Sequence, residues 1–425
     1  MARVPRVVRN RKRKRVLEVP KVLRRDEFDG LVPEARVELI RELIPLGLML
    51  IQEELDRDVE HLAGAVRSRG TAYDRYGTNP GSVKLLGQRI GIRVPRVRGP
   101  QGEVPLASYG HLHQGTELDE GLFRRVLYGI SCRNYEAAAE AIPGAIGLSS
   151  STVSRQFIQA SAAKLQAFQE RRLEAWDFTA VFLDGKTFAE DSLVLALGVA
   201  MDGVKVMLGF VQTETENQAV LKAFLGSLLD RGLNLARGLL VVIDGSKGLH
   251  AAVRKAFGKR ALVQRCQWHK RENVVAHLPK SEQAIWRRRL QQAYARPTYD
   301  EAKRELLKLG RELAQRNESA AASLEEGLEE TLTLHRLGVF PLLGRSFKTT
   351  NCLESVNAMA EGLCGKVDHW QTSNQKHRWF ASALLDIEPR LRKVMGHHHL
   401  PKLREALLED LGLGVETKIT RRNAA

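Results

Sequence analysis

Residues 178–212 read FTAVFLDGKTFAEDSLVLALGVAMDGVKVMLGFVQ. Three apolar runs of strand length, 178–183, 193–201 and 205–211, are separated by Gly185-Lys186 and Asp202-Gly203, both of which are turn chemistry. They predict an antiparallel β-meander. Beyond it, 217–229 has helical apolar periodicity, 239–243 is wholly apolar, 247–257 is again helical and 261–265 is strand-like. The order βββαβαβ predicts an α/β fold, a central mixed sheet flanked by helices.

Working downstream, residues 272–338 are rich in Leu, Ala, Arg and Glu, with Pro279 and Pro297 as the clear breaks. They read as a helical insertion or as a separate C-terminal helical domain. Upstream, the apolar positions of 33–65 recur at helical intervals and are interrupted by Pro45 and Gly47, which predicts two amphipathic helices. Residues 83–98 alternate as a short strand pair, basic along its length and ending near Arg96 and Arg98. Residues 119–142 suggest two helices, Pro143-Gly144 a break, and the serines around Ser150 the cap of a third helix that opens with Ser151, Ser154, Arg155 and Gln156. This is a helix-turn-helix with a recognition helix, or an ordinary three-helix packing unit; the basic context favours DNA.

That context is quantitative. Among 425 residues, 66 Lys and Arg face 50 Asp and Glu, a formal net charge of +16. A polyanion is the natural partner. Between Arg3 and Arg15 the chain carries no acidic residue, and Arg11, Lys12, Arg13, Lys14 and Arg15 form an unbroken basic run suited to phosphate contact. At 43% hydrophobic and 27% charged residues the composition excludes wholesale disorder. Four cysteines without paired spacing do not build a disulfide framework, no apolar run spans a bilayer, and the basic N-terminus lacks the apolar core of a secretory signal. A cytoplasmic, nucleoid-associated protein with no membrane partner is expected.

Candidate chemistry begins with two strands that end alike, Leu183-Asp184-Gly185 and Ile243-Asp244-Gly245. A carboxylate at a strand end sits where ligands bind in α/β sheets. Asp-Gly is also common turn chemistry, so the pair carries more weight than either member. A third carboxylate, Glu354, opens a capped helix among Thr349, Thr350, Asn351 and Asn357. Two or three converging carboxylates suit hard Mg²⁺, or Mn²⁺, which takes oxygen ligands. Cys266 and His269 have Cys-x-x-His spacing, but nothing supplies the other half of a zinc site, so a supporting role beside the carboxylates is expected.

With Asp184-Gly185-Lys186, Asp244-Gly245, Cys266-x-x-His269 and Thr349-Thr350-Asn351-x-x-Glu354-x-x-Asn357 together, the chain resembles the Mutator-type transposases of bacterial insertion sequences. Residues 86–98, and 128–131 through 149–154, resemble that family's basic strand segment and helix-turn-helix. The resemblance implies a ribonuclease H-like catalytic domain whose Asp184, Asp244 and Glu354 form a DDE triad holding two divalent ions. It also implies a helical insertion before the glutamate, which favours that reading of 272–338. Lys348 stands where the family often has Arg, which keeps the charge and loses the planar fork.

The implied layout is a basic arm (1–32), N-terminal helices with a basic β segment (33–118), a helix-turn-helix region (119–175), the catalytic domain (176–395) and a C-terminal tail (396–425). The implied activity is DNA strand cleavage and strand transfer on double-stranded DNA, at terminal inverted repeats and at target DNA. A homo-oligomer, at least a dimer when two ends are paired, goes with it. The alternative is a non-catalytic, sequence-specific DNA-binding regulator.

Overall fold

The structure, a computed structural model, describes residues 33–67, 72–85, 88–114, 120–132, 150–188, 190–213, 217–367 and 369–413. The basic arm with Arg11, Lys12, Arg13, Lys14 and Arg15 lies outside them. So do residues 133–149, the middle of the anticipated helix-turn-helix. The chain divides into two compact units, with the break near residue 119.

In the first unit, α1 (Pro33–Ala63) packs on a three-stranded antiparallel sheet of β1 (Asp74–Leu85), β2 (Gln88–Gly99) and β3 (Gly102–Val104), beside α2 (Ala107–Gln114). Two helices were expected where there is one. Pro45 removes one i to i−4 bond, but Leu55, Val59 and Ala63 bury against Val94, Val97 and Leu106, and tertiary packing of the apolar face outweighs a local defect. The strand pair is also longer than expected. β1 extends back to Asp74 through Pro80, a residue an edge strand tolerates because one side of it needs no donor.

The second unit is built on a five-stranded sheet of β4 (Phe178–Phe188), β5 (Asp191–Ala200), β6 (Lys205–Gln212), β7 (Leu239–Ile243) and β8 (Ala261–Arg265), in the order β6-β5-β4-β7-β8. β4, β5 and β6 form the expected antiparallel meander, whereas β7 and β8 run parallel to β4. On one face Val181, Leu183, Val241 and Ile243 pack under α5 (Gln218–Asp230) and α6 (Lys247–Phe257). On the other, Phe182 stacks on Phe347 of α13 (Phe340–Phe347), with ring centroids 5.5 Å apart. Cover on both faces is why β4 and β7 read as unbroken apolar runs. Gly185-Lys186 is not a turn: β4 continues to Phe188, with Lys186 paired to Leu193.

After β8 come α7 (Gln267–Ala276), α8 (Lys280–Tyr294), α9 (Tyr299–Ala314), α10 (Glu318–Glu325), α11 (Leu328–Thr331) and α12 (Thr333–Arg336). They bury a core of their own around Trp286, Leu290, Leu306 and Leu332. The last of them fasten to edge strand β8: Thr333 Oγ1 donates to Val263 O at 2.6 Å and Leu334 N to Gln264 Oε1 at 2.9 Å. The chain then returns to the sheet through α13, α14 (Asn351–Cys364) and α15 (Ser373–Ile387), so the helices are an excursion from the domain.

Also in this unit, α3 (Glu120–Leu127) and α4 (Ser150–Glu170) meet through Phe123 and Phe157, 5.2 Å apart. Phe157 in turn contacts Trp379 of α15 at 4.7 Å. Residues 396–413, expected to be tail, include α16 (Leu400–Asp410), whose buried Arg404 donates to Gly238 O and Phe178 O. Among the described residues no helix is long and apolar enough to cross a membrane.

Candidate active site

Register brings the first two carboxylates together. Leu183 pairs with Ile243 in the parallel β4/β7 ladder, so Asp184 within β4 and Asp244 just past the end of β7 are the next residues along. Alternation turns Asp184 toward the face that carries Phe182. Asp184 is only 5% exposed, and its carboxyl is pushed up to about 7, first by burial, then by the charge of Asp244, with Glu354 adding and His269 opposing. Asp244 is half-buried and accepts from Ser246 N at 3.0 Å, while Ser246 Oγ caps α6 through Leu249 N at 3.2 Å. The Asp244 turn is thus moulded onto a helix N-terminus.

Glu354 arrives on the first turn of α14, its side chain exposed. Four contacts set that helix on the sheet. Phe347 stacks on Phe182, Gln267 N donates to Lys348 O at 2.9 Å, and the buried Thr350 hydroxyl donates to Cys266 Sγ at 3.8 Å. Lys186 pairs with Glu361 at 2.8 Å, two turns beyond Glu354 on the same helical face.

Cys266 is fully buried, its thiol pushed up by burial, and its N–H donates to Ile243 O at 2.7 Å. It ties β7, α7 and α14 at one point, which is a positioning role. Among the described residues, His269 Nδ1 and Asn357 Oδ1 are buried without a hydrogen-bond partner. Asn351 is exposed at the start of α14, and Lys348 is half-buried with Nζ 6.0 Å from the centre of the Phe340 ring. Thr350 and Lys186 stand in the sequence motifs, but their pairings with Cys266 and Glu361 were not read from sequence. Nothing in a separation of 84 residues marks Thr350 and Cys266 as partners.

Among the described residues no three His, Cys, Asp or Glu side chains converge closely enough to hold a metal ion together. The donor chemistry nonetheless fits a hard divalent cation. Asp184 is a buried oxygen donor beside two further negative charges, and among the described residues no Lys or Arg forms an ion pair with Asp184, Asp244 or Glu354. A cleft of about 320 Å³ opens beside Asp244, lined by Lys186, Thr187, Thr213, Leu221 and Leu249. Neither Asp184 nor Glu354 lines it, so it is not where the three carboxylates meet.

The remaining candidate residues lie apart from this cluster. Arg96 is gripped by both carboxylate oxygens of Glu103, at 2.8 and 2.6 Å, and Arg96 and Arg98 both lie over Tyr76, at 5.0 and 5.3 Å from its ring centre. On α4, Ser151 and Arg155 are exposed while Ser154 and Gln156 are half-buried, and Gln156 Oε1 has no hydrogen-bond partner among the described residues.

The family described as "Transposase, Mutator family" matches residues 30–370. Similar proteins include the transposase for insertion sequence element ISRM5 of Rhizobium meliloti (strain 1021), 29% identical over 72% of this chain and 78% of its own. The transposase for IS905 of Lactococcus lactis subsp. lactis (strain IL1403) is 27% identical over 68% of this chain and 72% of its own. That for IS406 of Burkholderia multivorans (strain ATCC 17616 / 249) is 30% identical over 66% and 73%. With the family match running across both units, through Asp184, Asp244 and Glu354, the chain belongs to the Mutator family of transposases.

Proposed function

We propose that this chain binds the terminal inverted repeats of its own insertion sequence and cuts and rejoins DNA at a site formed by Asp184, Asp244 and Glu354 on a ribonuclease H-like domain. The observation that carries the reading is geometric: the β4/β7 register brings Asp184 and Asp244 to neighbouring positions, and the Phe347–Phe182 stack and the Lys186–Glu361 pair seat the segment that carries Glu354 on the same sheet. The strand order, an antiparallel meander extended by two parallel strands, supports the fold assignment. Mg²⁺ or Mn²⁺ held by the carboxylates would supply Lewis-acid stabilisation and an activated water or 3′-hydroxyl for in-line attack. Asp184 and Asp244 are the donors fixed by the sheet. Glu354 comes from a helix held by Thr350, Cys266 and Lys186, and His269 balances negative charge at Asp184. Acting on double-stranded DNA, at element ends and at target, the chain works at the nucleoid, and pairing two ends calls for at least a dimer.

The test is nicking of a duplex that carries the inverted repeats flanking the gene. It should proceed in Mg²⁺, stop in EDTA and return when Mg²⁺ or Mn²⁺ is restored. Nicking that persists in EDTA would overturn the metal-dependent reading.

On α4, Arg155 is the exposed long side chain suited to reading a guanine edge, whereas the half-buried Gln156 has less reach. Arg155→Ala should cost roughly 1 to 3 kcal/mol on the element end and little on a scrambled duplex. Paired titrations at one salt concentration check it, and equal losses on both duplexes would assign α4 a structural role.

A further inference from the structure

We propose that Arg265 is a positioning residue that locks the Asp244-Gly245 turn to the helical insertion, so that the seating of the insertion sets one metal-holding carboxylate. This rests on the reading of Asp244 given above. Arg265 ends β8 beside Ile243 of β7, the residue before Asp244. Its side chain is 8% exposed. One arm of the guanidinium, Nη2, donates to Gly245 O at 2.8 Å; the other, Nη1, donates to Glu326 O at 3.1 Å, just past the end of α10 in the insertion. The guanidinium donates from two separate nitrogens held in one plane, whereas an ammonium would have to reach both carbonyls from a single nitrogen.

Both ends of the bridge are built to admit the fork. A methyl group on Gly245 would meet Arg265 Nε at 2.3 Å, and one on Gly327 would meet Nη1 at 2.3 Å. The insertion end is charged to match. The Glu326 carboxylate lies 3.5 Å from Arg265 Nη2 and 3.6 Å from Lys247 Nζ, and Lys247 opens α6 directly behind the Asp244 turn. Buried Lys270 donates to Ser323 O in α10 at 2.6 Å and also to Glu326 O, the carbonyl that Arg265 holds. Arg265 is therefore the side chain that hydrogen-bonds both the Asp244-Gly245 turn and the insertion, with the Lys247–Glu326 pair beside it.

The experiment titrates Mn²⁺ into the full chain without DNA and follows free Mn²⁺ by its electron paramagnetic resonance signal. Arg265→Lys keeps the charge and loses one of the two carbonyl bonds. It should weaken Mn²⁺ binding about tenfold, the size expected for an outer partner of a ligand. Gly327→Asn is the independent variant. Asn tolerates the left-handed backbone found there (φ +64°) better than most residues, so its side chain displaces the guanidinium with limited main-chain strain, and Mn²⁺ affinity should fall similarly. Element-end duplex affinity in EDTA should be unchanged in both, and excess Mn²⁺ should recover cleavage.

Should either variant fail to fold, the other decides. Wild-type Mn²⁺ affinity in the folded variants, or cleavage that excess metal cannot recover, overturns the proposal. Asp244→Asn run alongside separates the two failures. If it keeps Mn²⁺ binding and cleavage, the reading of Asp244 falls; if it loses both while Arg265→Lys and Gly327→Asn bind normally, only the bridge falls.

Discussion

Asp184→Asn, Asp244→Asn and Glu354→Gln will each lower cleavage and strand transfer by at least roughly a thousandfold, about 4 kcal/mol of transition-state stabilisation, with binding to the element ends intact. Each change preserves shape and removes one negative oxygen donor. Gel assays of nicking, joining and complex formation on one duplex measure all three quantities. Strand transfer near wild type in any variant would remove that residue from the site.

Asp184→Asn carries a second signature. In the folded chain the Asp184 carboxyl titrates near 7 rather than near 3.8 because burial and its neighbours oppose the charge. Between those values the folded state binds more protons than the unfolded one. In the absence of metal, stability therefore falls as pH rises through that window. Asn removes the penalty, so metal-free Asp184→Asn should melt higher than wild type at pH 8 while being inactive. A lower melting temperature would mean that Asp184 is stabilising and not strained.

The second large effect is expected at Phe347→Ala. Phe347 is fully buried against Phe182, two residues before Asp184, and stands at the point where the chain returns from the insertion to the sheet. Truncating a buried Phe costs about 3 to 5 kcal/mol. Here the loss should also loosen the segment that delivers Glu354. Phe347→Leu, which refills most of the space, should cost about 1 to 2 kcal/mol and keep cleavage. Denaturant midpoints with an unchanged slope measure the first quantity, and nicking rates measure the second. A stable but inactive Phe347→Leu would show that the aromatic ring itself, and not the filled volume, orients α14.

The sheet of the second unit was legible because strands covered on both faces must be largely apolar, and 180–183 and 239–243 are wholly so. The two aspartates were legible for the same reason: a charge that interrupts such a run stands out. Their adjacency was not, because it depends on the parallel pairing of Leu183 with Ile243, and strand order leaves no mark in local sequence. Gly185-Lys186 misled because turn residues inside a strand look like its end. Pro45 misled because a proline weakens a helix locally while burial of Leu55 and Val59 sustains it from a distance. Arg265, and the partnership of Thr350 with Cys266, stayed hidden for a further reason. Arg265 and Thr350 are each one ordinary polar residue whose partners, Gly245 and Glu326 in one case and Cys266 in the other, come from segments well removed in the chain.

The fastening of Thr333 and Leu334 along β8 bears on any attempt to reduce this transposase to a minimal nuclease. β8 is the last strand of its sheet, and the insertion is its lid. Replacing residues 272–338 with a short linker would leave Val263 O on the outer rim of β8 without its Thr333 partner and strip the buried Gln264 side chain of its bonds to Thr331 and Leu334. An open rim of that kind recruits strands from other molecules. Such a truncated chain should aggregate rather than cut DNA, and charged substitutions along 261–265 would be needed before a shortened version could remain monomeric.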